Sequence, residues 1–400
     1  MASALSTFAD FVASTGPAYL TSAEDVVNEA CKNNYILRRF LRGKGPSEVI
    51  QGGATIKDTI LFDEENTAQY YQPNETFTWQ NPQVLTSWEI QWRFLADHMS
   101  WTDQEIELNV GGGMTKSARH QVFKKLKRTK EQRLWTSILN KMEDQLFAVP
   151  QTADQETSTG LQPYSLPAFI NENTNGLFYK DAVETGKTAW TTVQGIDPTT
   201  YSKWAPQAKT YTRVDPTNAG SLFVAMDKMF LDVQFIPPPT QQEYFDDPKL
   251  NAMFIACSKR GQTAYQQMLR QAQDTFVTSS RQDPAYMKPM YSGIALEYVS
   301  NLDTAALYQA ETGTNPYRTE LAGGGGATLV EDAGPRYYFI NANYLKPVFH
   351  TTRYMAKKTP MSHPNQPFTT VAPVDCWYNI VCRSRQRQGI VSPSGDVLTS

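Results

Sequence analysis

The longest regular pattern of apolar positions lies near the middle of the chain and predicts one long helix. From Thr115 to Val149 there is no glycine or proline, and apolar residues recur at helical spacing. At 1.5 Å per residue such a helix is about 50 Å long. A compact globule of this chain length has a radius of gyration of only about 21 Å. The helix is therefore expected to run across most of the molecule. Its apolar positions are Val122, Leu126, Leu134, Ile138, Leu139, Met142 and Leu146.

Strict alternation of apolar and polar residues before that helix predicts a β-hairpin. Ile56, Ile60 and Phe62 alternate with their neighbours on the outgoing strand. Trp88, Ile90, Trp92 and Phe94 do so on the return. The intervening stretch carries four aromatic residues, Tyr70, Tyr71, Phe77 and Trp79. Because an isolated hairpin is marginal in water, these aromatics need another surface, on this subunit or on a neighbour.

Shorter elements follow the long helix in a mixed, non-repeating order that predicts an α+β protein. The expected helices span 222–231 and about 258–275, with Ser258 as the cap of the second. The expected strands span 252–257, 293–299, 336–340, 348–354 and 375–382. From Arg383 the chain is basic and then polar, which predicts a tail.

The composition favours a protein with extensive protein–protein contacts. Charged residues are only 19% of the chain and aromatic residues 12%, against about 25% charged residues in ordinary globular domains. Interfaces are enriched in aromatic residues and depleted of charges, although a β-rich sugar-binding protein has a similar composition. No window approaches about 18 uninterrupted apolar residues, so neither a membrane span nor a signal peptide is expected. Cys31, Cys257, Cys376 and Cys382 lack CxxC spacing, which predicts buried free thiols in a reducing cytosol.

No catalytic, cofactor or metal motif emerges from the residues. The four histidines are scattered without zinc-ligand spacing. Gly186-Lys187-Thr188 lacks the upstream glycine of a phosphate-binding loop, because that position is Asp181. Two acidic residues could form a glycosidase pair, so a carbohydrate-active β-rich enzyme remains an alternative. The candidate acids are Glu64, Glu65, Asp103, Glu105 and Glu107. The eight tryptophans fit core or interface packing better than sugar stacking.

Positive charge is concentrated in the first half of the long helix, where Glu131 alone opposes it. A solvated helix face is one explanation. On the subunit of a shell, the same strip would face the lumen and bind phosphate without reading bases. The candidate lumen-facing residues are Arg119, Lys124, Lys125, Lys127, Arg128 and Lys130.

The order of these segments resembles the major capsid proteins of tailed bacteriophages, whose Hong Kong ninety-seven type fold is shared with herpesvirus shells and encapsulins. Thr192-Val193-Gln194-Gly195-Ile196-Asp197-Pro198, with Trp204 downstream, and Arg336-Tyr337-Tyr338-Phe339-Ile340-Asn341 are similar to segments of that family. The resemblance implies an N-terminal arm (1–45), an extended-loop hairpin (46–100) and a spine helix (115–149). It further implies a peripheral domain (101–216 and 335–385), an inserted axial α/β domain (217–334) and a C-terminal tail (386–400).

The resemblance implies a non-enzymatic coat protein that self-assembles into the icosahedral head around double-stranded DNA. Hexamers and pentamers of itself, a portal protein and a cement or decoration protein are the implied partners. No charged, coiled-coil-like segment precedes the arm, which suggests either a separate scaffolding protein or a chain that is already mature. The implied location is the virion, assembled in the host bacterial cytoplasm. An encapsulin-like shell or another virion structural protein is the alternative within the structural class.

Two sets of contact residues follow from the same resemblance. The extended loop would contact a neighbouring subunit through Phe62, Tyr70, Tyr71, Phe77 and Trp79. Some family members join an extended-loop lysine to a neighbour's asparagine. Lys57 lies in the matching segment, and Asn341, Asn343 and Asn379 are conceivable partners.

Overall fold

The computed structural model describes residues 36–37, 40, 48–62, 70, 72, 85–105, 116–173, 176–178, 190–215, 218–233, 253–274, 289–304 and 335–399. For residues 48, 116–126, 270–274, 304 and 394–399 it describes the backbone alone. The strands are β1 (Glu48–Ile50), β2 (Thr55–Leu61), β3 (Leu85–Gln91), β4 (Arg93–Thr102), β5 (Gln207–Val214), β6 (Met253–Cys257), β7 (Met290–Tyr291), β8 (Ile294–Tyr298), β9 (Tyr337–Asn341), β10 (Leu345–His350), β11 (Ala356–Lys357), β12 (Met361–His363), β13 (Gln366–Cys382) and β14 (Gly389–Thr399). The helices are α1 (Lys116–Leu146), α2 (Thr152–Gln155), α3 (Leu166–Phe169), α4 (Leu222–Val233), α5 (Lys259–Asp274) and α6 (Asn301–Thr304), with short 3-10 helices at Ser202–Trp204 and Thr351–Arg353.

The long helix α1 confirms the prediction made from the apolar spacing. It is continuous over 31 residues, which corresponds to about 46 Å. Leu134, Ile138, Met142 and Leu146 are all buried. One stripe of the helix therefore packs into the subunit, as the sequence pattern predicted, and α1 is called the spine helix below.

The first sheet is organised around the 17-residue strand β13. One edge of β13 pairs with β10, β11 and β12 in turn, and its other edge pairs antiparallel with β4. The short strand β1 extends the sheet by pairing parallel with β10. Along β13, residues at even positions such as Val374, Cys376 and Tyr378 are buried. This face of the strand joins the same core as Leu134 and Ile138 of the spine helix.

The second sheet separates two hydrophobic cores. Its strand order is β5-β14-β9-β6-β8-β7. In β9, Tyr338 and Ile340 belong to the core shared with the spine helix, whereas Tyr337 and Phe339 belong to the core beneath α4 and α5. All five residues of β9 are buried. A continuous apolar run is the pattern of a strand covered on both faces.

The domain limits predicted from the resemblance differ from the observed sheet membership. The predicted tail at 386–400 is wrong, because Gly389–Thr399 forms β14 between β5 and β9, with Ile390 and Val391 fully buried. β5 and β9 also join the second sheet, although both lie outside 217–334. The hairpin ends at Gln91, and β4 already belongs to the first sheet. Finally, the strand predicted at 348–354 ends at His350.

Candidate assembly surfaces

The base of the β2–β3 hairpin is fixed to the body by polar contacts. The indole Nε1 of Trp92 donates to the Gly53 carbonyl at 3.0 Å, across the open end of the hairpin. Asn379 of β13 donates through Nδ2 to the Gln91 carbonyl at 2.8 Å. The Nε of Arg383 lies 2.9 Å from a carboxylate oxygen of Asp58. These contacts hold the hairpin against the end of β13.

Arg93, the first residue of β4, secures the strand that leaves the hairpin. Its guanidinium donates to the carbonyls of Gln155 at 3.0 Å and Thr157 at 2.7 Å, and also to the Gly160 carbonyl. The residue is 3% exposed, and this burial lowers the pKa of Arg93. A buried charge needs such partners, because an uncompensated one is costly. Arg93 thereby ties the hairpin exit to the loop that follows α2.

The two faces of the hairpin differ in polarity. Ile56, Trp88 and Ile90 are buried on one face. On the opposite face, Lys57 and Glu89 form a cross-strand ion pair at 2.8 Å in solvent. The last described pair on that same face is apolar: Leu61 lies directly opposite Leu85, and the two side chains are 60% and 62% exposed. The hairpin thus presents an apolar pair to solvent at the end away from its base.

Phe62, which the resemblance predicted to contact a neighbouring subunit, has little surface left for one, and that predicted contact stays a prediction. Phe62 is buried within its own chain, where its ring stacks on Tyr201 at 5.0 Å and meets Trp204 edge-on at 5.6 Å. The physical reason is the period of the strand, which places residue 62 on the same face as Ile56 and Ile60. The alternation that revealed the strand therefore already indicated that Phe62 faces inward.

Of the other four aromatic residues predicted to contact a neighbouring subunit, the structure describes one. Tyr70 is fully exposed. Tyr71, Phe77 and Trp79 lie outside the described residues. The predicted role of these four residues stays a prediction.

Two further exposed apolar sites lie on the first sheet. Phe94, which the alternation grouped with Trp88, Ile90 and Trp92, is 63% exposed, and its ring meets Trp377 edge-on at 4.7 Å. The alternation misplaced Phe94 because the adjacent Trp92 and Arg93 are both buried, so the buried face changes from even to odd positions where β4 begins.

The second site was not singled out from the sequence. Near the β12–β13 turn, Met361 is 51% and Phe368 70% exposed. At the first site, the guanidinium of Arg353 lies 5.5 Å from the centre of the Trp377 ring.

The basic strip on the spine helix divides into residues with different environments. Lys127 and Arg128 are exposed. The side chains of Arg119, Lys124 and Lys125 lie outside the described residues. The strip is thus described in part, and which way it faces in an assembly stays a prediction.

The charge of Lys130 is engaged within its own chain, and its predicted position on a lumen wall stays a prediction. Its ammonium group forms an ion pair with Glu105 and donates to the Ser100 carbonyl at 2.8 Å. Lys130 lies one helical turn before the buried Leu134, and side chains four residues apart share a helix face. Its charge therefore connects the spine helix to β4 and the turn after it. Glu131, which the sequence placed against the basic strip, instead pairs with Lys357 of β11.

The residues proposed for enzyme chemistry do not converge where they are described. Glu105 is paired with Lys130, and Asp103 is exposed. Glu64, Glu65 and Glu107 lie outside the described residues. Within the described ranges, no group of three His, Cys, Asp or Glu residues could hold a metal ion. Among the same residues, no helix is both long and apolar enough to cross a bilayer.

The cysteines and tryptophans pack largely as the sequence predicted. Cys257, Cys376 and Cys382 are free and buried, and burial raises their thiol pKa values to about 12, 11 and 12. Cys31 lies outside the described residues. Trp88, Trp92, Trp190 and Trp204 are buried in the core shared with the spine helix. Side chains placed there are unsuited to stacking on a sugar in solvent.

The conceivable cross-linking residues are in unequal environments. Lys57 is exposed on the hairpin. Asn379 is fully buried, and its side-chain oxygen accepts the Tyr164 amide at 3.0 Å. Asn341 is also buried, and its side-chain oxygen accepts the Asn343 amide at 3.1 Å. Burial leaves Asn341 and Asn379 poorly placed to meet a lysine of a neighbour.

Solved capsid structures are similar to this chain in overall fold. The capsid of a native GTA particle matches with a TM-score of 0.52 and 7% identity over 95% of each chain. The capsid of the empty GTA particle matches with a TM-score of 0.50 and 8% identity, again over 95% of each chain. A chain of Mycobacterium phage Bobi aligns over 98% of this chain and 99% of its own, with a TM-score of 0.47 and 11% identity. No protein-family model and no curated protein matches the sequence.

The protein therefore has a capsid-protein fold. More particularly, the fold is an α+β capsid fold, the class that the sequence predicted. At 7–8% identity the likeness establishes the fold alone.

Proposed function

We propose that this chain is a major capsid protein that self-assembles, as hexamers and pentamers, into the icosahedral head around double-stranded phage DNA. The observation that carries the proposal is a capsid fold whose hairpin ends in an exposed apolar pair. Leu61 and Leu85 are each more than half exposed although they lie directly opposite one another. Apolar surface left exposed on a single chain is typical of a contact that another chain covers.

The hairpin acts as a clamp on a neighbouring subunit. Its base is held by Trp92, Asn379 and Arg383, so the hairpin can transmit force to the body. Its distal end offers Leu61, Leu85 and the exposed Tyr70. In this arrangement Tyr71, Phe77 and Trp79 contribute to the same contact, whereas Phe62 stabilises the hairpin from within the chain.

The basic half of the spine helix lines the lumen beside packaged DNA. The exposed Lys127 and Arg128 support this role, and Arg119, Lys124 and Lys125 share the same half of the helix. Lysine and arginine at such a wall bind phosphate through charge and counterion release, with no sequence preference. Lys130 is assigned to subunit stability instead.

The domain assignment follows the sheets. The first sheet and the spine helix form the peripheral domain, with the hairpin as the extended loop and residues 1–45 as the arm. The core beneath α4 and α5 belongs to the axial domain. β9 and β14 lie at the boundary, because their side chains enter both cores.

The proposed partners are those of a phage head. They are further copies of this chain, a separate scaffolding protein, a portal protein, a cement or decoration protein and the packaged DNA. The proposed location is the virion, after assembly in the cytoplasm of the bacterial host. No enzymatic activity is assigned to the chain.

An encapsulin-like shell or another virion structural protein is the second candidate, because the resemblance covers both. The basic strip favours a nucleic-acid container over a protein-cargo shell. A carbohydrate-active enzyme is disfavoured by the ion pair that engages Glu105 and by the buried tryptophans.

Negative-stain microscopy and light scattering of the purified full chain, with and without host lysate, test the proposal. Closed shells or curved hexagonal lattices are expected. Nuclease-protected DNA inside the particles would support a phage head, whereas protein cargo would support the encapsulin-like alternative. A chain that stays monomeric under every condition would refute a shell role.

A further inference from the structure

A short segment before β1 is docked into the body of the subunit. Its described residues, Ile36, Leu37 and Phe40, are helical and are 0%, 3% and 1% exposed. The ring of Phe40 meets Phe254 of β6 edge-on, with the ring centres 6.3 Å apart. All three residues belong to the core that also contains Ile138 and Met142 of the spine helix. These residues, called the turn below, are therefore packed between the spine helix and the second sheet.

The polar contact of this turn is made by one buried acid on the spine helix. The Oε2 atom of Glu143 accepts the backbone amide of Leu37 at 2.9 Å, and the Ile36 amide also donates to this carboxyl group. Glu143 is 0% exposed, and its Oε1 atom has no hydrogen-bond partner. Among the described residues, no lysine, arginine or histidine forms an ion pair with it. A buried carboxylate with amide partners alone favours protonation.

The groups around Glu143 act on its charge in opposite directions. The pKa of Glu143 is raised from 4.5 to about 7, and burial is the largest cause, to which the neighbouring Asp144 contributes in the same direction. The Leu37 and Ile36 amides act the other way, because they favour the charged form. When the turn leaves, water reaches the carboxyl group and its pKa returns towards 4.5. At a pH between about 4.5 and about 7, docking of the turn is therefore accompanied by binding of a proton to Glu143.

We propose that the Ile36–Phe40 turn is a proton-coupled latch on the spine helix, closed by the neutral form of Glu143 and weakened by its charged form. The sign follows from linkage. The docked state binds the proton more tightly than the undocked state. The stabilisation of the docked state by protonation of Glu143 is therefore complete below about pH 4.5 and is lost as the pH rises through about 7. The orphaned Oε1 atom is where the proton would be held.

Hydrogen exchange of the purified full chain tests the latch. The protection of the peptide spanning Ile36–Phe40, corrected for intrinsic exchange, is measured at pH 5.5 and pH 8.5. For the wild type we expect protection to fall by about tenfold or more at the higher pH, since each pKa unit of difference corresponds to a factor of ten. Glu143→Gln cannot ionise but can still accept the Leu37 amide, so its protection should be equal at the two pH values.

Three controls make the outcome decisive. Asp144→Asn removes the neighbouring acid and should keep the pH dependence. Phe40→Ala should lower protection at both pH values, which shows that the peptide reports docking. The peptide covering Trp377–Cys382 of β13 reports whether the body stays folded. Equal wild-type protection at both pH values, or the same pH dependence in Glu143→Gln, would overturn the proposal.

Discussion

The side-chain amide of Gln388 forms hydrogen bonds with both the backbone N–H and the backbone carbonyl of Asn341. The Gln388 side chain donates to the Asn341 carbonyl at 2.9 Å and accepts the Asn341 amide at 2.8 Å. Residues 342–344 lead from the second sheet to the first, and residues 383–388 lead back. The Arg383 amide also donates to the Tyr344 carbonyl at 2.8 Å. The two crossings between the sheets are therefore bonded to each other.

Replacing Gln388 by alanine should weaken the whole subunit. The buried Asn341 amide would lose its partner, whereas the Asn341 carbonyl would keep the Tyr344 amide at 3.2 Å. An orphaned buried group costs about 1–3 kcal/mol, and we expect the free energy of unfolding in urea to fall by about that amount. Gln132→Ala, at an exposed position of the spine helix, is the matched control and should change little. A Gln388→Ala variant as stable as this control would show that the crossings are held by other contacts.

Phe62→Ala should act on folding and not specifically on assembly. Removing a buried phenylalanine costs about 3–5 kcal/mol, so the isolated subunit should unfold at lower urea concentration. A double-mutant cycle with Tyr201→Ala should give a coupling of about 0.5–1.5 kcal/mol for the stacked pair. If Phe62→Ala leaves subunit stability unchanged but abolishes particles, the contact between subunits predicted from the resemblance is correct after all.

Replacing Leu61 and Leu85 together by serine should impair assembly and leave the stability of the single subunit nearly unchanged. Both side chains are exposed in the single chain, so the free energy of unfolding of the monomer should change by less than about 0.5 kcal/mol. Assembly should fail or require much higher protein concentration, as microscopy and light scattering would show. The control is Thr59→Ala with Ser87→Ala, the next cross-strand pair on the same face. Normal shells from the leucine variant would exclude this end of the hairpin as a clamp.

Lys124→Glu with Lys127→Glu should permit shells to form yet reduce stable DNA retention. The difference from the wild type should be larger at low salt, because phosphate binding by exposed charges is screened. Encapsidated, nuclease-resistant DNA per particle is the measurement. Lys130→Gln is the contrasting variant, since losing its ion pair with Glu105 should lower subunit stability instead. Poor assembly of the double variant would mean that these lysines pair with acids of neighbouring subunits.

The sequence was most informative where a period repeats over many residues. The hairpin and the spine helix were predicted because alternation and helical spacing continue long enough to exclude other structures. β14 was missed because its two apolar pairs, Ile390–Val391 and Val397–Leu398, are separated by a polar stretch with a proline and a glycine, and its partner β9 lies far away in the chain. The ion pair of Lys130 was not predicted, because its helix face was assigned from charge and not from its position one turn before the buried Leu134.

The alternating burial of β9 also bears on how the subunit loses its structure. Neighbouring side chains of this strand, Tyr338 and Phe339, enter different cores. Neither core can therefore open without removing one wall of the other, and separate local melting of the two halves is suppressed. The subunit should respond to heat or denaturant as one cooperative unit, with a single transition seen by probes placed in either half.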